Sequence, residues 1–252
     1  MRGRLTYIQK ICLTRTGKLM AHTHMLEPDA RVGVAISGGV DSGVLLKLLI
    51  HLKKRLPFPI ELMAIHINPG FDPSFHLPLE KWVREEGVSG YFEINDMGPR
   101  AHSRENRSNS PCFFCSWRRR KRLFEVVNNF RLTHLALGHN GEDLVSTFFL
   151  NLFYAGRIET LYPSEIFFRG EFKLIRPLLL LDKQKIKAAA RQWKLPILEN
   201  PCPSANTSKR KVLLKELSDL WEEKVRRKCL YSALYNWVLQ NPTPKAHERA
   251  QR

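Results

Sequence analysis

An α/β fold, with a mainly parallel sheet and helices on both faces, is what this sequence predicts, and three observations predict it. Short apolar, β-branched runs alternate along the chain with longer segments whose apolar residues recur at helical spacing. The first of these runs passes directly into a glycine loop and then a helical pattern, in the stretch VAISGGVDS at 34–42. The chain has 252 residues, 43% of them hydrophobic, which is enough for one large core with an appendage.

The elements follow in order. Leu5, Ile8, Ile11 and Cys12 recur at helical spacing in a segment with no acid before Glu27. Such an Arg- and Lys-rich start can mimic an organellar transit peptide, but the periodicity favours an amphipathic helix belonging to the fold. Residues 31–36 (RVGVAI) read as a buried parallel strand, and 43–56 set Val44, Leu45, Leu48, Leu49 and Leu52 on one helical face. A strand at 60–67, a helix at 75–86 closed by Gly87, and a strand at 91–94 come next. A polar loop at 95–111 leads to a helix from about 113 to 130, a strand at 134–138 and a helix at 141–154. A strand at 172–176, a helix at 182–193 and the short run 196–198 complete the alternation. Charged, helix-prone sequence continues to about 239. The expected organisation is an N-terminal basic helix (1–25), a domain of approximately five strands with a C-x-x-C insert (26–205), a C-terminal helical extension (206–240) and a disordered tail (241–252). No apolar run is long enough to span a bilayer.

Charge narrows the partner. Lys and Arg number 41 against 24 Asp and Glu, a formal net charge of +17. A field of that size favours a polyanion, and no long membrane-seeking helix accompanies it, so nucleic acid is preferred over an anionic membrane or a merely solvated surface. The five cysteines, an odd number without an export signal, argue for metal or redox use in a cytoplasmic protein and not for a disulfide scaffold.

In open parallel sheets, ligands bind at the carboxyl ends of the strands, which directs attention to the loops after Ile36, Ile67, Ile94 and Gly138. Ser37, Gly38, Gly39 and Ser42 form a strand-to-helix loop whose amides and helix dipole suit a phosphate or pyrophosphate. It is neither G-x-x-x-x-G-K-[ST] nor G-x-G-x-x-G. Asp41 and Asp143 are candidate Mg²⁺ ligands or helix-terminal acids. His139, beside Gly138, is a ligand contact or a turn histidine. His66 and Asn68 are candidate adenosine contacts or structural groups, and Arg176 is read as partly structural. Cys112 and Cys115 stand where a loop enters a helix beside Arg118, Arg119, Arg120, Lys121 and Arg122, and Cys202 lies between two prolines. A helix start with adjacent arginines favours thiolates. The three cysteines could be buried and inert, could bind zinc with His102 or His139 as a fourth ligand, or could hold an iron–sulfur cluster with one iron open. The basic run could hold RNA phosphates beside the thiols, or be a solvated face. Cys12 and Cys229 read as packing residues.

The order S-G-G-x-D-S, P-G-F (69–71), C-x-x-C-S-x-x-R-R, L-G-H-x-x-x-D and R-P-L resembles the tRNA 2-thiocytidine synthetase group of the PP-loop (N-type) ATP pyrophosphatases, over roughly residues 4–225. The stretches at 24–39 and 136–157 are especially similar. The resemblance implies a PP-loop ATPase (adenine nucleotide alpha hydrolase-like) fold, ATP and Mg²⁺ as cofactors, and a 4Fe-4S cluster on Cys112, Cys115 and Cys202. It implies adenylation of a tRNA base with release of pyrophosphate, then attack by sulfur and release of AMP, with a persulfide carrier or sulfide as donor. A homodimer is compatible with it. Arg210, eight residues after Cys202, falls where the group tends to carry an arginine. Two stretches depart from the pattern, at three positions: Val40 replaces a lysine, and Asn140-Gly141-Glu142 replaces H-x-D. The rival functions are amine transfer on the same fold, sulfur handling on a small molecule, and an RNA-binding module with a degenerate ATP site.

Overall fold

The computed structural model describes residues 4–107, 110–204, 209–217 and 223–241. One sheet contains β1 (Ala30–Ala35), β2 (Ile60–Asn68), β3 (Ser89–Ile94), β4 (His134–Ala136), β5 (Ser164–Phe167) and β6 (Phe172–Ile175). The order across it is β3-β2-β1-β4-β6-β5, parallel throughout except for β5 against β6. The five parallel strands are those the apolar runs predict. The sixth, β5, is an unexpected antiparallel edge. Residues 196–198, expected as a strand, form none; there the chain crosses the glycine loop, and the Leu198 amide donates to the Gly38 carbonyl at 3.0 Å.

The helices are α1 (Tyr7–His22), α2 (Val40–Lys53), α3 (Leu77–Glu85), α4 (Met97–Ala101), α5 (Pro111–Asn129), α6 (Gly141–Ala155), α7 (Lys183–Gln192), α8 (Lys209–Glu216) and α9 (Lys224–Gln240). The short α4 interrupts the segment read as a polar loop. A Thr6–Gln9 capping box starts α1, which buries Cys12, Leu13, Leu19 and Met20 and packs on α2 and α7.

Strand residues alternate between faces, and the buried side chains divide accordingly. Ala64, Ala136 and Ile175 join a large cluster with α1, α2, α3, α6 and α7. Their neighbours Ile65, Leu135 and Leu174 join a second cluster with Val126 and Val127 of α5. Tyr231 and Leu234 bring α9 into the large cluster. No described helix is long and apolar enough to cross a membrane. Residues 242–252, expected to be disordered, lie outside the described residues.

Strands β2 and β3 lie on one side of β1, and β4 and β6 on the other, so the chain reverses its winding between β1 and β4. A crevice opens at the carboxyl ends of strands at such a point.

Candidate active site

The crevice is a cleft of about 510 Å³, within the size range of small-molecule sites. Its floor is the loop joining β1 to α2. Gly38 has φ +82°, a conformation that strains residues with a Cβ, and Leu198 covers the space beside it, with Cδ1 3.0 Å from where that Cβ would stand. The Ser42 hydroxyl holds the loop by accepting from the Ser37 amide (3.0 Å) and donating to the Gly39 carbonyl (3.0 Å), while Gly39 caps α2. A first-turn helix leaves its leading amides without helical partners. Those of α2 therefore face the cleft as anion donors, and Ser37, Gly39, Asp41 and Ser42 line it.

Two further helix starts meet this one. A Cβ on Gly138 would lie 3.1 Å from the Ser42 nitrogen, so only glycine lets the β4–α6 loop come this close. Asn140 caps α6, accepting from the Glu142 amide (2.8 Å), and Asp143 accepts from the Asn140 amide (3.0 Å) in a capping box. The same Asn140 donates through Nδ2 to Asp41 Oδ1 (3.0 Å). Asp41 Oδ2 is ion-paired with Lys183 Nζ at the start of α7. The Gly141 amide bonds the Leu181 carbonyl (3.0 Å), tying α6 to the α7 entry. Two positive helix ends, those of α2 and α6, thus open on one cleft with Asp41 and Asp143 both lining it, and the start of α7 is tied to them from behind through Lys183.

The side walls carry imidazoles in defined tautomers. His66 is buried, and its Nδ1 contacts the Ile36 carbonyl at 2.8 Å. A carbonyl only accepts, so Nδ1 holds the proton. The unprotonated Nε2 is a buried acceptor with no partner among the described residues, in a residue that lines the cleft. Burial foremost pushes the His66 pKa down to about 4, with His76 and Arg119 also lowering it. At His139 the roles reverse. Arg176 Nε donates to its Nδ1 (3.2 Å), which leaves Nε2 as the protonated nitrogen. Arg176 itself is buried, ion-paired with Glu165 and bonded to the Tyr162 carbonyl (2.6 Å), so its role is structural. Asn68 is structural too, with its amide spent on the Asp72 carbonyl, His76 and the Gly70 amide, and it does not line the cleft.

The opposite wall is α5. Ser116, Arg119 and Arg120 line the cleft, so two arginines of the basic run face this pocket. Arg119 Nη2 reaches Cys115 Sγ at 3.6 Å, linking the cleft to the thiols. Arg118 lies over Phe114 and Trp117, with its guanidinium 5.2 and 5.6 Å from the ring centroids. Lys121 is exposed. Arg122 departs from the expected phosphate-facing run, because its guanidinium is bound to Glu93, Glu125 and the Tyr91 hydroxyl at 2.7–3.0 Å. Arg210 lies in α8, and its side chain is outside the described residues.

Cys202 joins this wall through the segment that clamps Gly38: its amide bonds Asn200 Oδ1 (3.1 Å), and Asn200 and Pro201 line the cleft. Cys112 is exposed in area, yet the chain around it pushes its thiol up, and Cys202 and Cys115 push it further. This opposes the lowering expected from a helix start beside arginines. Among the described residues no three His, Cys, Asp or Glu side chains stand in metal-ligating arrangement, so the thiols approach without forming a finished ligand set. His102 Nε2 lies 3.7 Å from Cys202 Sγ. The contacts that sequence reasoning missed are Lys183 and Asn140 on Asp41, and Leu198 over Gly38. For Lys183 a signal was present: a cation in the first turn of a helix opposes the dipole.

No family model matches the chain. It is 32% identical over 228 residues to the tRNA-cytidine(32) 2-sulfurtransferase of Geotalea uraniireducens, covering 88% of this chain and 89% of that one. It is 33% identical over 194 residues to the protein of that name from Syntrophotalea carbinolica, covering 77% and 74%. Among solved structures, the U34-tRNA thiolase NcsA from Methanococcus maripaludis with its 4Fe-4S cluster superposes with a TM-score of 0.73 at 22% identity, over 93% of this chain and 81% of that one. With a third of its residues shared across most of the length of these relatives, the chain belongs to the tRNA-cytidine(32) 2-sulfurtransferase family.

Proposed function

We propose that this chain is an ATP-dependent tRNA thiolase acting on a cytidine, the base its relatives' names specify. One observation carries the reading: the cysteines border the phosphate cleft, since Arg119 of its α5 wall contacts Cys115 and the segment 198–201 that lines it leads directly into Cys202. The amides at the start of α2, with Ser37 and Ser42, bind the departing pyrophosphate. Asp41 and Asp143 offer carboxylate oxygens to Mg²⁺, a hard cation suited to them. His66 Nε2 accepts from a donor of the nucleoside, and His139 Nε2 donates.

The base oxygen attacks the α-phosphorus, the bond to the β-phosphate oxygen breaks, and pyrophosphate leaves. A base oxygen is a poor leaving group, and adenylation converts it to AMP. Sulfide then bonds to the base carbon as the carbon–oxygen bond breaks and AMP departs; a persulfide carrier supplies that sulfide when a pair of thiols reduces its sulfur–sulfur bond and leaves as a disulfide. Cys112, Cys115 and Cys202 would hold the cluster, since three thiols without a fourth cysteine suit a 4Fe-4S group; when bound, it supplies an iron free of protein ligands where sulfur can be held. Arg119 orients Cys115 toward the cleft. Arg118, Arg120, Lys121 and Arg210 are proposed contacts to tRNA phosphates, in a cytoplasmic setting.

Two measurements test this. Nucleosides of tRNA from cells lacking the gene should have lost 2-thiocytidine, and the purified chain with tRNA should release AMP and pyrophosphate. An unchanged nucleoside profile, or ADP and phosphate as products, would reject the reading. His102 beside Cys202 carries a second reading, a zinc site of three thiols and one imidazole. Anaerobically purified protein should absorb near about 400 nm and lose that band in Cys112→Ala; a colourless protein with stoichiometric zinc would favour the second reading.

A further inference from the structure

We propose that Lys183, at the start of α7, supplies the cation of the phosphate loop and holds the place of the nucleotide until it arrives. The inference rests on the ATP reading above. Residues 37–42 contain no Lys or Arg, and their one charged group, Asp41, is an acid in the first turn of α2. A carboxylate there complements the helix dipole but repels an incoming triphosphate. The neutralising charge comes from 142 residues further along the chain: Lys183 Nζ is ion-paired with Asp41 Oδ2, both side chains being partly buried at 23% and 25% exposure.

The position of Lys183 is costly in its own helix. The first turn of α7 carries no acid, and a cation there opposes the positive helix end. Asp182, which caps α7, points its oxygens at the Gln184 amide and at Arg227, with Lys185 at 4.0 Å. The partner that makes Lys183 favourable is therefore Asp41, on another element. Asn140 holds the other oxygen of Asp41, so the carboxylate is clamped between an amide and an ammonium at the floor of the cleft. When a triphosphate enters, the ammonium exchanges one anionic partner for another. It turns from Asp41 to a phosphate oxygen, and the carboxylate is released to bind Mg²⁺. Lys183 is thus a binding residue for the phosphates and a positioning residue for Asp41.

The test is ATP binding by equilibrium dialysis, with folding checked by thermal melting. Lys183→Met, which keeps the length and removes the charge, should weaken ATP binding about tenfold, the loss of one charge-assisted contact. Lys183→Arg should stay within about threefold of the unaltered chain, because the charge is retained. Val40→Lys in the Lys183→Met background, which returns a cation to the first turn of α2, should recover most of the affinity. ATP binding by Lys183→Met within twofold of the unaltered protein, or equal losses in Lys183→Met and Lys183→Arg, would overturn the inference and leave the ATP reading standing. No ATP binding by the unaltered chain would overturn both.

Discussion

His66 holds its ring proton on Nδ1 because a carbonyl faces it, and burial keeps the ring neutral. That combination has a consequence for stability. The folded pKa is about 4, against about 6.5 in an unfolded chain. The unfolded state therefore binds a proton first as pH falls. The stabilisation is complete above about pH 6.5 and is lost progressively toward about pH 4, amounting to about 2 kcal/mol between pH 7 and 5. His51 and His134 are also pushed down by burial, so the whole protein will show a steeper slope than His66 alone produces. Comparison of variants isolates the contribution: His66→Gln, which can still donate to Ile36, should show a shallower loss of urea stability from pH 7 to 5. An identical slope in the variant would mean that the ring is not held neutral. The same substitution alters the acceptor proposed to receive a donor of the nucleoside, so ATP affinity should fall at pH 7, where the fold is undisturbed.

The helix α9 buttresses the cleft from behind. Arg227 Nε bonds Asp182 Oδ2 at 3.0 Å, behind the cap of α7, and the Tyr231 ring lies so close to Gly141 that a Cβ there would be 2.7 Å from its Cζ. One C-terminal element thereby steadies the starts of both α6 and α7. Removing a charge from a buried pair strands its partner, so Arg227→Met should cost about 3 kcal/mol in denaturant unfolding. It should also weaken ATP binding, because Lys183 rides on the α7 start. Unchanged binding despite lowered stability would show that α7 keeps its place without α9. Little of this was legible in the sequence. Periodicity identifies the five parallel strands and most helices, because each buries its own apolar face. Ser164–Phe167 gave no such signal: it is four residues long, lies at the edge and is only half-buried. Residues 196–198 misled in the opposite sense, since Leu198 is apolar in order to cover Gly38 and not to fill a sheet. The glycine loop, both aspartates and the three cysteines were readable as motifs. Contacts across the chain, such as Lys183 with Asp41, leave no local trace beyond a cation in an unfavourable turn.

At the scale of the molecule, a net charge of +17 must be divided between groups that attract a polyanion and groups consumed within the fold. The basic run on α5 contains both kinds. Arg122 is held by Glu93, Glu125 and Tyr91, joining α5 to β3, whereas Arg120 and Lys121 are exposed. Long-range attraction responds to any of these charges, but a phosphate contact releases a condensed counterion only where a cation reaches the backbone. Each such contact contributes about 0.7–0.9 to the slope of log affinity against log salt. For tRNA binding, Arg120→Ala and Lys121→Ala should each weaken affinity and reduce that slope by roughly 1. Arg122→Met should leave the slope unchanged and cost about 1–3 kcal/mol of stability instead, because it strands Glu93. A reduced slope in Arg122→Met with unaltered stability would show that tRNA displaces Glu93 and recruits this guanidinium. Equal slopes in all three variants and the unaltered chain would place the tRNA track away from α5, on another basic surface of the molecule.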